Sequence, residues 1–178
     1  SDKEILFIGS WTNLLAYDLN ENTDKFDVDV SDGVNCLHFT KIHSIWEPLI
    51  VAGGNCSITG FDINSTESFW TVTGDNVRAL ESVDIDFDGI PELVVGSDDF
   101  SIWMFWHEEL IFDIKESAPV NFISWIDRAF FGFGLGNSSL GVYSGSAKKW
   151  KLKCDNIITA LKGVNHNIDG DLQLIAGY

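Results

Sequence analysis

The chain has 178 residues, with 11 basic side chains against 27 acidic ones and a formal charge of −16. That length supports one domain with a substantial core, and the charge argues against docking on a phosphate backbone or an anionic membrane leaflet. No apolar run approaches the roughly eighteen residues of a membrane-spanning helix.

An apolar run ending in glycine opens the chain as Ile5-Leu6-Phe7-Ile8-Gly9. It returns as Leu49-Ile50-Val51-Ala52-Gly53, Leu93-Val94-Val95-Gly96 and Leu174-Ile175-Ala176-Gly177, with a weaker copy in Phe130-Phe131-Gly132-Phe133-Gly134. The glycines at 9, 53, 96, 134 and 177 are 44, 43, 38 and 43 residues apart. After the first four copies a second run ends in an aromatic residue, at Tyr17, Phe61, Phe105 and Tyr143. A third run alternates apolar with polar residues, as in Phe26-Asp27-Val28-Asp29-Val30, in the manner of a half-exposed strand. A fourth (Val34 to Phe39, Val77 to Val83, Val120 to Trp125, Ile157 to Val164) leads into the next repeat.

Four short strands in each repeat, with no helical period, predict an all-β fold: a β-propeller of four-stranded antiparallel blades. The repeats start near residues 5, 49, 92, 130 and 172, giving about four blades in one domain over 1–178. A start in mid-rhythm is the pattern expected of part of a larger ring. The alternative is a small closed propeller in which the last strand completes an earlier blade.

The sharpest chemical signal precedes the third repeat, where Asp84, Asp86 and Asp88 alternate, Gly89 follows and Glu92 begins the apolar run. Hard cations such as Ca²⁺ take several oxygen ligands, and a glycine-assisted turn with alternating acids can supply them. The expected set is Asp84, Asp86, Asp88, the backbone oxygen of Ile90, and Glu92, holding a structural Ca²⁺ in a loop between strands. The bland alternative is a surface turn whose acids are merely solvated. A second loop with Asn165, Asn167, Asp169 and Gln173 keeps oxygen donors at the same offsets but has lost most of the charge, so weaker binding is expected there.

Other patterns carry less. His38, His43, His107 and His166 are scattered without zinc-type spacing. The glycines from Gly132 to Gly136 lack the Lys-Ser/Thr pair and following helix of a phosphate loop. No convergent acid, base and nucleophile is visible, so no catalytic residue and no enzyme are expected. The three cysteines read as small core residues, and most tryptophans as strand or inter-blade packing. An aromatic exposed in the turn from Trp106 to Leu110 would be able to anchor a partner.

The Asp-x-Asp-x-Asp-Gly-x-x-Glu-Leu-x-Val-Gly repeat resembles the FG-GAP-like blades of integrin α-chains. A closer resemblance runs through Thr12-Asn13-Leu14-Leu15-Ala16-Tyr17-Asp18, Gly53-Gly54-Asn55-Cys56, Phe69-Trp70-Thr71-Val72-Thr73-Gly74-Asp75-Asn76-Val77 and Glu92-Leu93-Val94-Val95-Gly96-Ser97. These runs are similar to the amino-terminal propeller of the Bardet-Biedl syndrome 2 family. The resemblance implies a non-enzymatic scaffold subunit of the BBSome, the coat-like adaptor that moves membrane-protein cargo into and out of cilia. It also implies other BBSome subunits as partners, ciliary cargo served indirectly, no nucleic acid, and residence in cytoplasm, cilium and basal body. The rival expectation is an extracellular integrin-like propeller for adhesion, with glycans on Asn55, Asn64 or Asn137.

Overall fold

The computed structural model describes residues 4–42, 45, 47–165 and 172–178, and among these every regular element is a strand. The first sheet holds β1 (Ile5–Ser10), β2 (Asn13–Asp18) and β3 (Thr23–Asp29). The second runs β4 (Cys36–Thr40), β5 (Leu49–Gly53), β6 (Ser57–Phe61) and β7 (Glu67–Val72). The third runs β8 (Val77–Val83), β9 (Glu92–Ser97), β10 (Ser101–Trp106) and β11 (Glu109–Lys115). The fourth runs β12 (Val120–Asp127), β13 (Phe130–Leu135), β14 (Ser139–Ser144) and β15 (Ala147–Lys153). A last antiparallel pair joins β16 (Ala160–Asn165) to β17 (Leu172–Gly177). Each sheet is an antiparallel meander, and the whole is a β-propeller of four-stranded blades.

The hydrogen bonds group the strands differently from the repeat rhythm. Residues 49, 92, 130 and 172 fall at the start of the second strand of a sheet, because the run before each, such as Val77–Val83, pairs forward. A repeat period fixes spacing but not phase. The last strand pairs with β16, not with β1, so it does not complete the first blade.

Among the described residues, three apolar cores lie between successive sheets. Ile50 and Ala52 face the first sheet while Val51 between them faces the third. In the same way Leu93 and Val95 face back and Val94 faces forward. A strand buried on both faces can afford no polar alternation, which is why these runs are continuously apolar. The first strands β4, β8, β12 and β16 contact one another in turn and so surround the propeller axis.

The recurring glycine marks where the next blade arrives. A Cβ on Gly53 would lie 2.5 Å from Val77 Cγ1, and one on Gly96 would lie 2.8 Å from both Val120 Cγ1 and the Val120 carbonyl. Gly9 meets Val34 in the same way, and Gly134 faces Ile158 at 3.7 Å. At Gly9, Gly53 and Gly96 the valine that enters the new blade therefore occupies the space of the missing side chain, whereas Ile158 only touches it at Gly134.

A β-bulge recurs on the outer strand of four blades. The register slips at Ala16/Tyr17, Gly60/Phe61, Met104/Phe105 and Val142/Tyr143, leaving Lys25, Ser68, Ile111 and Lys149 unpaired. Each bulge adds twist to an edge that would otherwise invite strand pairing.

Two expectations from composition are corrected by burial. Trp11 is 90% exposed, and Trp70, Trp106 and Trp150 are also exposed, because the outer strands and rim turns have a face that no neighbouring blade covers; Trp125, on the inner strand β12, is exposed as well. Of the free cysteines, Cys36 packs against a core, where burial pushes its thiol up to about 12, but Cys56 is exposed and Cys154 is half-buried.

One buried charge ties the third blade to the fourth. Glu116 follows β11, and its side chain is almost wholly buried. It accepts bonds from Lys148 and Lys151 at 2.7 Å each and from the Tyr143 hydroxyl at 2.6 Å. Burial pushes the Glu116 carboxyl up, but the hydrogen bonds from Lys148, Lys151 and Tyr143 together outweigh it and hold the group below its ordinary value. A depressed carboxyl adds stability above its unfolded pKa that is lost as pH falls through the folded one. Glu116→Gln is expected to cost about 1–3 kcal/mol at neutral pH. Melting temperatures should show a steeper acid loss for the native chain than for the variant; parallel curves would remove Glu116 from the account.

Candidate functional site

The acidic loop connects β8 to β9 at one end of the third blade. Its sequence folds by capping itself. Asp84 Oδ2 accepts the Gly89 amide at 3.0 Å, Asp86 Oδ1 the Asp88 amide at 3.1 Å, and Asp88 Oδ1 the Ile90 amide at 2.7 Å. Phe87 and Gly89 adopt φ of 67° and 86°, which turns the chain back on itself. The bonds at Asp86 and Asp88 are Asx turns, and all three leave one oxygen of each carboxylate uncommitted to the backbone bonds named.

Asp84, Asp86 and Asp88 each bring a carboxylate oxygen within 4.8 Å of the others. Asp84 Oδ1 is buried and has no hydrogen-bond partner. Glu92 is only 3% exposed and lies beneath the loop, where its Oε2 accepts the Ile85 amide at 2.8 Å. Burial, followed by the neighbouring Asp86 and Asp88 charges, raises its pKa against the bond from Ile85. Glu92 thus braces the loop from inside the strand, a task invisible in the acid spacing because its partner is the amide of Ile85.

In the second loop, Asn167 and Asp169 lie outside the described residues. Asn165 ends β16, and the exposed Gln173 sits on β17 opposite Val164.

Near the axis, His38 on β4 meets Ser82 and Glu81 on β8. His38 Nε2 is 2.8 Å from Ser82 Oγ and 3.6 Å from Glu81 Oε1. Both groups approach the same ring nitrogen, so the imidazole does not relay between them as in a nucleophilic triad. Burial lowers the His38 pKa, with Glu81 opposing. Among the described residues, no helix is long and apolar enough to cross a membrane.

Meandering blades arranged about an axis, with an acidic loop and aromatic turns on their rims, define a β-propeller domain. Residues 79–178 match the family model described as "Ciliary BBSome complex subunit 2, middle region", and residues 1–40 match its N-terminal counterpart. The chain belongs to this family. It is 42% identical to the BBSome complex member BBS2 of Danio rerio over 178 residues, covering 100% of the chain and 25% of that protein. With the BBS2 of Homo sapiens it is 38% identical over 175 residues, covering 98% and 24%. The chain therefore spans about a quarter of the length of these relatives. Among solved structures, BBS1N in complex with ARL6DN superposes with a TM-score of 0.78 at 15% identity, covering 97% of this chain and 57% of that one. At that identity the likeness concerns fold.

The left-handed turn at Gly89 makes the loop sensitive to side-chain shape. No atom lies within 4 Å of a Cβ there, so the penalty of substitution is conformational. Gly89→Val is expected to destabilise by about 1–3 kcal/mol and Gly89→Asn by less. Urea midpoints of the two variants should rank in that order.

Proposed function

We propose that the chain serves as a non-enzymatic contact platform within a BBSome, presenting blade edges and rim turns to protein partners. The observation that carries this is the family match over residues 79–178, on a propeller already seen in a sister subunit. The BBS1 propeller is recorded in complex with ARL6, a precedent for this architecture meeting a protein. The partners are then other BBSome subunits and, indirectly, ciliary membrane-protein cargo, in cytoplasm, cilium and basal body. The family match favours this over an integrin-like adhesion role. Affinity purification of the tagged full-length protein from ciliated cells should recover the other BBSome subunits in matching amounts. Recovery of the protein alone, bearing glycans at Asn55, Asn64 or Asn137, would overturn it.

Within that platform, we propose that Asp84, Asp86, Asp88, the Ile90 carbonyl and Glu92 hold a structural Ca²⁺. The buried, unpartnered Asp84 Oδ1 supports the fit, since a carboxylate oxygen removed from water needs a donor or a cation. A cation would also relieve the crowding of Glu92 by Asp86 and Asp88. The amide-rich set Asn165, Asn167, Asp169 and Gln173 would bind more weakly. At Ca²⁺ a hundredfold above Kd, binding would raise the melting temperature by about 5–10 °C. Asp86→Ala should remove that rise while leaving melting in chelator little changed. Equal losses in both buffers would sink the metal reading.

A further inference from the structure

A groove of about 560 Å³ opens between the third and fourth blades, beside the acidic loop. Ile85, Trp106, Ile111 and Phe112 give it apolar walls, Asp86 and Glu92 supply carboxylates, and the Ser144–Ser146 turn of the fourth blade faces them.

Comparison of the blades shows what is unusual about two of these wall residues, Trp106 and Ile111, and about Leu110 next to them. The repeated bulge aligns the outer hairpins residue by residue. Where the third blade has bulged Ile111, the others have Lys25, Ser68 and Lys149. Where it has Trp106, they have Asp18, Asp62 and Ser144, and where it has Leu110 they have Asp24, Glu67 and Lys148. Each of these positions is polar in the sister blades, so the scaffold does not require apolar side chains there. In the third blade all three are apolar and at least 38% exposed. The bulge also matters for direction. Because two residues oppose one, Ile111 and Phe112 both reach the groove instead of pointing to opposite faces.

We propose that this groove docks a protein segment in which an aliphatic or aromatic side chain stands beside a lysine or arginine. The inference rests on the contact-platform reading and names the chemistry of one partner. The apolar walls take the uncharged side chain, and a volume of about 560 Å³ is within the range that accommodates a compact ligand. With the acidic loop free of metal, Asp86 and the largely buried Glu92 select the charge, since a cation pairs with carboxylates in a partly dry setting more strongly than in open water. The chain's charge of −16 steers basic segments toward it and repels acidic ones.

The test is to pan a display library of random peptides on the full-length protein in EDTA, so that metal does not compete for Asp86. Ile111→Lys and Trp106→Ser serve as counter-targets, since each installs a residue that a sister blade already carries at that place. Enriched peptides should pair an apolar residue with Lys or Arg within two positions, and each variant should weaken them about tenfold, the loss of one good apolar contact. Peptides rich in acid, no enrichment, or equal binding to native and variant proteins would overturn the proposal. So would a native dimer in sedimentation that Ile111→Lys dissolves, because a second copy would then fill the groove. The two readings fail separately. Peptide binding that depends on Ile111, with no BBSome subunits recovered from cells, would remove the complex and keep the groove.

Discussion

Everything in this propeller hangs on the closeness of one blade to the next at a glycine. Gly9, Gly53 and Gly96 leave room for Val34, Val77 and Val120, and the contact at Gly96 involves the Val120 backbone as well as its side chain. A flexible side chain can yield, but a carbonyl held in a strand cannot. The blades are thus locked in height along the axis, and the apolar faces of β5 and β9 are brought against cores on both sides. Continuous apolar runs, short turns and close packing all follow from that fit.

Much of this was legible in the chain itself. The glycine rhythm and the aromatic that ends each second run identify the all-β propeller fold and the strand spacing, since both are direct imprints of packing. The phase was not legible, because Val77–Val83 alternates well enough to belong to either neighbour and only its hydrogen bonds to β9 decide. The acidic triple announces itself by its spacing, whereas the Glu92 brace does not. The bulge hides in a different way. Leu110-Ile111-Phe112 reads as a plain apolar run, and only the slip opposite Met104 and Phe105 shows that two consecutive side chains share a face.

The third blade concentrates the chemistry. In an antiparallel meander the β8–β9 and β10–β11 connections emerge at the same end, so the acidic loop and the Trp106 hairpin share one rim. Departures from the repeat gather there.

The bulged outer strands have a further consequence, for behaviour in concentrated solution. β3, β7, β11 and β15 each end a sheet and turn one row of backbone groups outward. Two copies meeting edge to edge would offer each other complementary ladders. At low ionic strength, mutual repulsion from a charge of −16 holds them apart. At physiological salt that field decays within about 8 Å, roughly the width of two strands. Colloidal protection then passes from the whole molecule's field to the local twist at Lys25, Ser68, Ile111 and Lys149. Of these, only Ile111 lacks a polar side chain to keep water at the edge, which makes β11 the weakest point in the protein's defence against its own copies.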